Sequence, residues 1–262
     1  MDGTRPDPRA QEKTCPLAAC GNRLIGAMRE ADRALLEPHL VPVDLAPRQV
    51  LFEAGEEIAF SHFPCAGTVI SLAGAMSDGR VAEVAVIGAE GAAGGIISAG
   101  RHFASARAEV QVPGPALRID IARLEAAKAA SAPLRGLLAR YADLLLAQVM
   151  QSAACNALHP VEARACRWLL MIHDRAGTDE LPLTQEFLAE MLGVQRTTVT
   201  RVLAGLAEAR ALDQRRGCIV LRDRRPIERG ACECYRAVER HVRRIAPELL
   251  PGGAGEAANN RG

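Results

Sequence analysis

The sequence predicts an α+β chain in which short antiparallel strands come first, one long helix follows, and a helix-turn-helix with a hairpin wing comes last. Three observations predict it. Between Val41 and Ile121, short β-branched and apolar runs alternate with turn signals. From Pro133 to Ala157 the apolar positions keep a helical period. Residues 184–207 then carry two amphipathic helical patterns joined at Gly193.

A chain of 262 residues is long enough for one large domain or two ordinary ones, each with a sizeable core. Aromatics make up only 3%, so Leu, Val, Ile and Ala must build that core. No run approaches the ~18 apolar residues of a membrane span. Met1 to Lys13 is polar, unlike the apolar stretch of a secretory signal, so a cytoplasmic protein without a membrane partner is expected. Charge is unevenly spread. Residues 181–245 hold 13 Arg against 8 acids, whereas residues 1–180 hold 18 basic residues against 21 acids. A basic back end fits a polyanionic partner, although an Arg-rich helix is also an ordinary solvated face.

The leader, 1–21, is rich in Pro, Arg and Ala and has no period. Asn22 to Leu40 places Leu24, Ile25, Met28, Leu35, Leu36 and Leu40 near helical spacing, which predicts one or two short helices. Strands are predicted at Gln49–Glu53, Thr68–Ala73, Val81–Ile87, Ala108–Val112 and Ala116–Ile119. Asp78-Gly79 is a strong hairpin signal and Pro113-Gly114 a second turn. Gly88–Gly100, with five glycines, reads as a loop between strands. Ile121, Leu124 and Ala127 begin a short helix, and the β-domain is bounded at 22–130.

Ser131 can cap the next helix and Pro133 open it. Over 131–157 its stripe of Leu137, Leu138, Leu144, Leu145, Val149 and Ala153 fits either a second subunit or a buried core. Leu145 and Val149 are the stripe residues expected at a dimer interface. His159-Pro160 breaks this helix, and Val161 to Asp174, with Trp168, Leu169 and Ile172, starts another.

Thr184 is a candidate N-cap for the run holding Leu188, Met191 and Leu192. Gly193 ends that run as a residue free to adopt positive φ. In the second helix Val199, Val202, Leu203 and Leu206 share one face, opposite Arg196, Thr197, Thr200 and Arg201. Small Ala189 lets the helices approach, and Leu188, Leu192, Val194, Val199 and Val202 join them. Such a unit lays the N-terminal half of its second helix in the major groove of double-stranded DNA. An Arg fork matches the O6 and N7 acceptors of guanine, and threonine can touch thymine or phosphate. Gln195 and Thr198 complete the candidate reading surface. Arg215 and Arg216 follow in the turn before Cys218–Leu221 and would meet phosphates at a wing tip, unless they are only a solvated pair. This DNA-binding unit spans 158–225, with a C-terminal helix and tail over 226–262.

The eight cysteines form no C-x-x-C pair, and a chain of this size needs no disulfide staple. Cys155 and Cys166 read as core residues. Cys232-Glu233-Cys234 is a lone C-x-C that lacks two further ligands, so neither a metal nor a cofactor is expected.

With Gln49–Gly55, Phe63-Pro64, Gly67, Glu83–Gly91, Val110–Gly114, His159–Leu170 and Asp223–Tyr235 added to these motifs, the chain resembles the cyclic-AMP receptor protein / fumarate–nitrate regulator (Crp/Fnr) superfamily of bacterial transcription regulators. The resemblance runs from about Asn22 to Arg244. It implies an N-terminal antiparallel β-roll of cyclic-nucleotide-binding-like type, a long dimerisation helix and a C-terminal winged helix-turn-helix. It also implies a homodimer, a small effector and RNA polymerase as a candidate partner. Arg196 and Arg201 match the two contacting arginines of the family, and Thr197 replaces the usual glutamate between them.

Cyclic-nucleotide binders of the family hold the phosphate with an Arg-Ser or Arg-Thr pair, and Phe103-Ala104 stands in that slot here. Glu90, Arg101 and Arg107 lie near but not in the matching positions. A buried phosphate without its arginine is costly, so cyclic AMP is not expected. The four-cysteine cluster of iron–sulfur members is unmatched by Cys15, Cys20 and distant Cys65, and His39, His62 and His102 have no ligand spacing. The sequence therefore predicts a dimeric, sequence-specific DNA-binding regulator, with a redox- or metal-responsive cysteine module as the alternative. It contains no nucleophile elbow, P-loop or dinucleotide fingerprint, so it is not expected to be an enzyme.

Overall fold

The computed structural model describes residues 17–96 and 100–251. Three short helices lead in: α1 (Leu17–Cys20), α2 (Arg23–Gly26) and α3 (Glu30–Leu36). The Asn22 side chain starts α2 by accepting from the Ile25 amide at 3.0 Å. Its amide group donates to the carbonyls of Pro64 and Gly91, which ties the helices to the strands beyond.

Seven strands follow: β1 (Val41–Leu45), β2 (Val50–Phe52), β3 (Phe60–Pro64), β4 (Val69–Ala75), β5 (Val81–Ile87), β6 (Arg107–Val112) and β7 (Gly114–Asp120). They form two antiparallel sheets, β1-β7-β3 and β2-β6-β4-β5. Pro113-Gly114 is accordingly the corner where the chain changes sheets, whereas Asp78-Gly79 turns β4 back along β5 as a hairpin. The sheets enclose Phe52, Ile58, Ile70, Ile87, Ala104, Val110 and Ile121 in one core.

Sequence periodicity missed β1 and β3. Four of the five residues of β3 are buried, including polar Ser61 and His62, so no inside–outside alternation shows. Burial among apolar neighbours, with Arg118 close by, lowers the His62 value to about 4 and keeps its ring neutral.

Asp120 caps α4 (Ile121–Ala130), and Ser131 caps the long α5 (Ala132–Leu158), accepting from the Leu134 amide at 3.1 Å. Of the expected stripe on α5, Leu137, Leu138 and Leu144 lie in their own chain's core, while Leu145 and Val149 are half-buried. The exposed apolar face lies elsewhere on the helix. Leu146 and Met150 are 58% and 64% exposed, with exposed Ala139, Ala153 and Ala157 on the same side, and Leu158 at the helix end is 78% exposed.

The C-terminal half comprises α6 (Val161–Ala176), β8 (Glu180–Leu181), α7 (Gln185–Leu192), α8 (Arg196–Glu208), β9 (Leu212–Arg215), β10 (Cys218–Leu221), α9 (Arg224–Gly230) and α10 (Cys234–Ile245). Helix α10 runs back along α5, so that Ala246 and Leu249 enter the cluster of Leu134, Leu137, Leu138 and Tyr141. No described helix is long and apolar enough to cross a membrane.

The expectation that the chain has no disulfide is overturned. Cys20 and Cys65, 45 residues apart, are bonded and pin α1 beside the end of β3. Separation of that size leaves no motif to read. Cys15 lies outside the described residues.

Where β5 meets α6, the Glu83 carboxylate is buried, accepting from Ser71 Oγ at 3.0 Å and from Gln111 Nε2. Burial raises its value from 4.5 to about 7, more than these donors and nearby Arg167 hold it down. The folded chain therefore keeps a proton that the unfolded chain releases. Its contribution is complete below about pH 4.5 and is lost as pH rises through 7, a swing of about 3 kcal/mol. Glu83→Gln should match the parent near pH 4.5 and exceed it by about 1–3 kcal/mol at pH 8 in denaturant unfolding. A difference that stays constant with pH would assign the titration to another group.

Candidate nucleic-acid interface

Thr184 caps α7 as expected, its Oγ1 accepting from the Phe187 amide at 3.1 Å. Gly193 closes that helix at φ +64°. The Val194 amide reaches back to the Ala189 carbonyl at 3.0 Å, which fixes the turn. Arg164 Nη2 on α6 also donates to the Leu192 carbonyl at 2.6 Å, satisfying one end group of α7. Leu188, Ala189, Leu192, Val199, Val202 and Leu203 are buried together with Trp168, Leu169 and Ile172. Each large apolar side chain so buried contributes about 1.5–3 kcal/mol.

With that face turned inward, α8 presents the opposite one. Gln195, Arg196, Thr197, Thr200 and Arg201 are exposed and Thr198 is half-buried. Thr200 Oγ1 lies 2.7 Å from Gln185 Oε1 on α7, and the Gln185 amide in turn donates to Gln214 on β9. This chain of polar groups couples the second helix to the wing. Sequence reasoning missed Gln185 and Gln214, which carry no motif of their own.

The wing itself is β9 and β10, paired Cys218↔Arg215 around Arg216-Gly217, with β8 on its other edge. Gly217 has φ +74°. Arg216 is exposed at the tip, while Arg215 pairs with Glu180 at 3.1 Å. That exposed pair is worth at most about 1 kcal/mol, little to give up for a phosphate. Thr184, Gln185, Arg196, Gln214 and Arg215 line one groove of about 330 Å³.

Helix α7 uses its remaining face against the β-roll of its own chain. Arg48 lies over the Phe187 ring at 4.3 Å and pairs with Glu190 at 3.1 Å, and Ser71 Oγ is 3.5 Å from Met191 Sδ. The exposed polar face of α8 stays outward in this arrangement.

Family-model comparison matches residues 163–229 to the Crp-like helix-turn-helix domain. This chain carries a Crp-like helix-turn-helix domain on a Crp/Fnr-type fold. FixK2 from Bradyrhizobium japonicum is 17% identical over 74% of this chain and 98% of its own, with a TM-score of 0.60. CLP, the c-di-GMP responsive global regulator of Xanthomonas campestris, is 17% identical over 74% and 99%, at 0.57. A putative transcriptional regulator of the crp/fnr family from Eubacterium rectale is 18% identical over 79% and 96%, at 0.57. Identity at this level speaks for the fold alone. Comparison with curated proteins gives no match.

In the β-roll, Ala104 is buried among apolar neighbours and Phe103 is 56% exposed. Glu90 is committed elsewhere, to Arg175 on α6 at 2.6 Å and to Arg23 on α2 at 3.3 Å. Burial alone would raise the Glu90 carboxyl, but the two guanidinium groups hold it below the usual range. Arg107 is likewise taken, by Glu109 at 3.0 Å. A cavity of about 420 Å³ opens beside Glu90, between the β-roll, α5, α6 and α10, with Tyr141, Gln148 and Tyr235 on its walls.

The lone C-x-C also gains company. Cys155 and His159 at the end of α5 stand against Cys232 and Cys234, so the two ligands lacking in the local sequence come from 73 or more residues away.

Proposed function

We propose that the protein is a homodimeric, sequence-specific transcription regulator of double-stranded DNA and not an enzyme, acting in the cytoplasm. The observation that carries this reading is the stripe of Gln195, Arg196, Thr197, Thr200 and Arg201 on α8, held outward by a filled interior face. Arg196 and Arg201 read base edges, with Gln195, Thr197, Thr198 and Thr200 beside them. Thr184, Arg215 and Arg216 hold the phosphates. The exposed Leu146–Met150 face of α5 joins two subunits. Such pairing sets two recognition helices in successive major grooves about 10 base pairs apart. Selection from a randomised DNA library should therefore return a two-fold symmetric site with half-sites one helical turn apart. A selected site without symmetry would refute the dimeric reading.

RNA polymerase is the candidate partner if the protein activates transcription. The effector is not cyclic AMP or cyclic GMP. At the slot where a phosphate would need an arginine, Ala104 is buried among apolar neighbours and Phe103 is exposed, and Glu90 is already held by two arginines. Calorimetry with either nucleotide should give no heat of binding at micromolar concentrations. Micromolar affinity for either would show that the pocket forms by rearrangement. A different small effector has room in the cavity beside Glu90.

A further inference from the structure

Three thiols and one imidazole converge at the hinge between α5 and the helix-turn-helix unit. Cys155 and His159 are four residues apart, so the last turn of α5 brings them to one side. Cys232 enters from the strap between α9 and α10 and Cys234 from the first position of α10, with Glu233 between them turned outward. Cys155 Sγ lies 3.5 Å from Cys232 Sγ, and Cys234 Sγ lies 3.5 Å from His159 Nδ1. All four ligand atoms fall within 4.8 Å of one another.

These separations match a single small ion. Zinc–sulfur bonds of about 2.3 Å and zinc–nitrogen bonds of about 2.0–2.1 Å, set tetrahedrally, put sulfurs about 3.8 Å apart and sulfur and nitrogen about 3.5 Å apart. An iron–sulfur cluster needs its ligands spread wider than this. We propose that Cys155, His159, Cys232 and Cys234 form a structural Zn²⁺ site that fixes the hinge.

The surroundings fit that role. His159 Nε2 is 3.2 Å from Glu233 Oε2, the carboxylate partner that orients an imidazole to ligate through its other nitrogen. Gln151 Nε2 donates to Cys234 Sγ at 2.9 Å, a bond suited to a thiolate. Cys155, Cys232 and Cys234 are buried, so four protein ligands close the site as in structural zinc centres. Soft thiolates with one imidazole in tetrahedral array select zinc over magnesium, calcium or manganese. Binding releases the three thiol protons to solvent and leaves the centre with one net negative charge.

Position gives the site its consequence. One pair of ligands belongs to the helix with the exposed Leu146–Met150 face, and the other follows α9, which packs on α6. Zinc ties these together across His159-Pro160. The effect on DNA rests on the regulator reading above; the metal site does not.

The full-length protein, purified without a histidine tag and loaded with zinc, should hold about one zinc per chain at this site by elemental analysis. Cobalt in its place should give the visible bands of tetrahedral thiolate coordination. Cys232→Ser should abolish both signals, His159→Gln should weaken affinity at least tenfold, and Glu233→Gln should weaken it about tenfold. Cys218→Ser, in the wing and outside the cluster, should change neither. His159→Gln and Glu233→Gln, at the rim, keep the test open if a cysteine variant fails to fold. Protein that stays metal-free after loading, a cobalt spectrum without thiolate bands, or zinc retained by both Cys232→Ser and His159→Gln overturns the site. DNA affinity unchanged on zinc removal, at a site the loaded protein binds, overturns the hinge role.

Discussion

Leu146→Glu with Met150→Glu should turn the protein into a monomer at micromolar concentration and lower its DNA affinity by about 100-fold or more. Both side chains are more than half exposed on α5 and lie outside the buried core clusters, so their replacement removes little packing within the chain. Burying a Leu or Met against a second subunit contributes about 1.5–3 kcal/mol, and two-fold symmetry counts each residue twice. The glutamates would also face their symmetry copies as like charges. A monomer can hold only one half-site, and loss of the linked second site removes the 10²–10⁴-fold gain of divalent binding. Sedimentation and anisotropy on the same samples check both effects. Leu145 and Val149 are the wrong residues for this test, because both are half-buried and Leu145 packs against the chain's own core. Dimers that survive the double substitution would move the interface off this face.

The reason for that shift in residues shows how far the sequence could be read. A helical period reveals that α5 has an apolar stripe, but not which neighbour covers it. The β-roll and the returning α10 cover Leu137, Leu138 and Leu144, and what remains exposed is a second stripe one position over. Local chemistry was legible. The Thr184 cap, the Gly193 turn, the apolar seam from Leu188 to Val202 and the hairpin at Asp78-Gly79 are each specified by residues close in sequence. Strand β3 was hidden because burial on both faces erases its alternation. Contacts between distant residues were hidden altogether. Neither the Cys20–Cys65 bond nor the approach of Cys232 to Cys155 leaves a spacing signal. Cys155-x-x-x-His159 was the one available clue, since i,i+4 places two ligands on one helical face, but the His-Pro pair reads equally well as a helix stop.

Arg196→Ala should cost about 1–3 kcal/mol per contact and relax base preference at one position of each half-site. Arg201→Ala, five residues further along the exposed side of α8, should relax a neighbouring position. Neither side chain makes a hydrogen bond or ion pair among the described residues, so removing it leaves α8 intact and the loss falls on DNA alone. The wing should behave differently. Arg216 at the tip and Arg215, held only by the exposed Glu180 pair, approach phosphates, which carry no sequence information. Alanine at either position should weaken all sequences alike and reduce the salt dependence by about one charge each. Gln185→Ala supplies an internal control. It breaks the bridge from Thr200 to Gln214 without deleting a charge, so it should loosen the wing and leave the salt slope unchanged. Competition binding against a randomised-site library, repeated at three salt concentrations, separates the two classes. If the wing variants alter base preference while Arg196→Ala leaves it intact, the recognition helix is not α8.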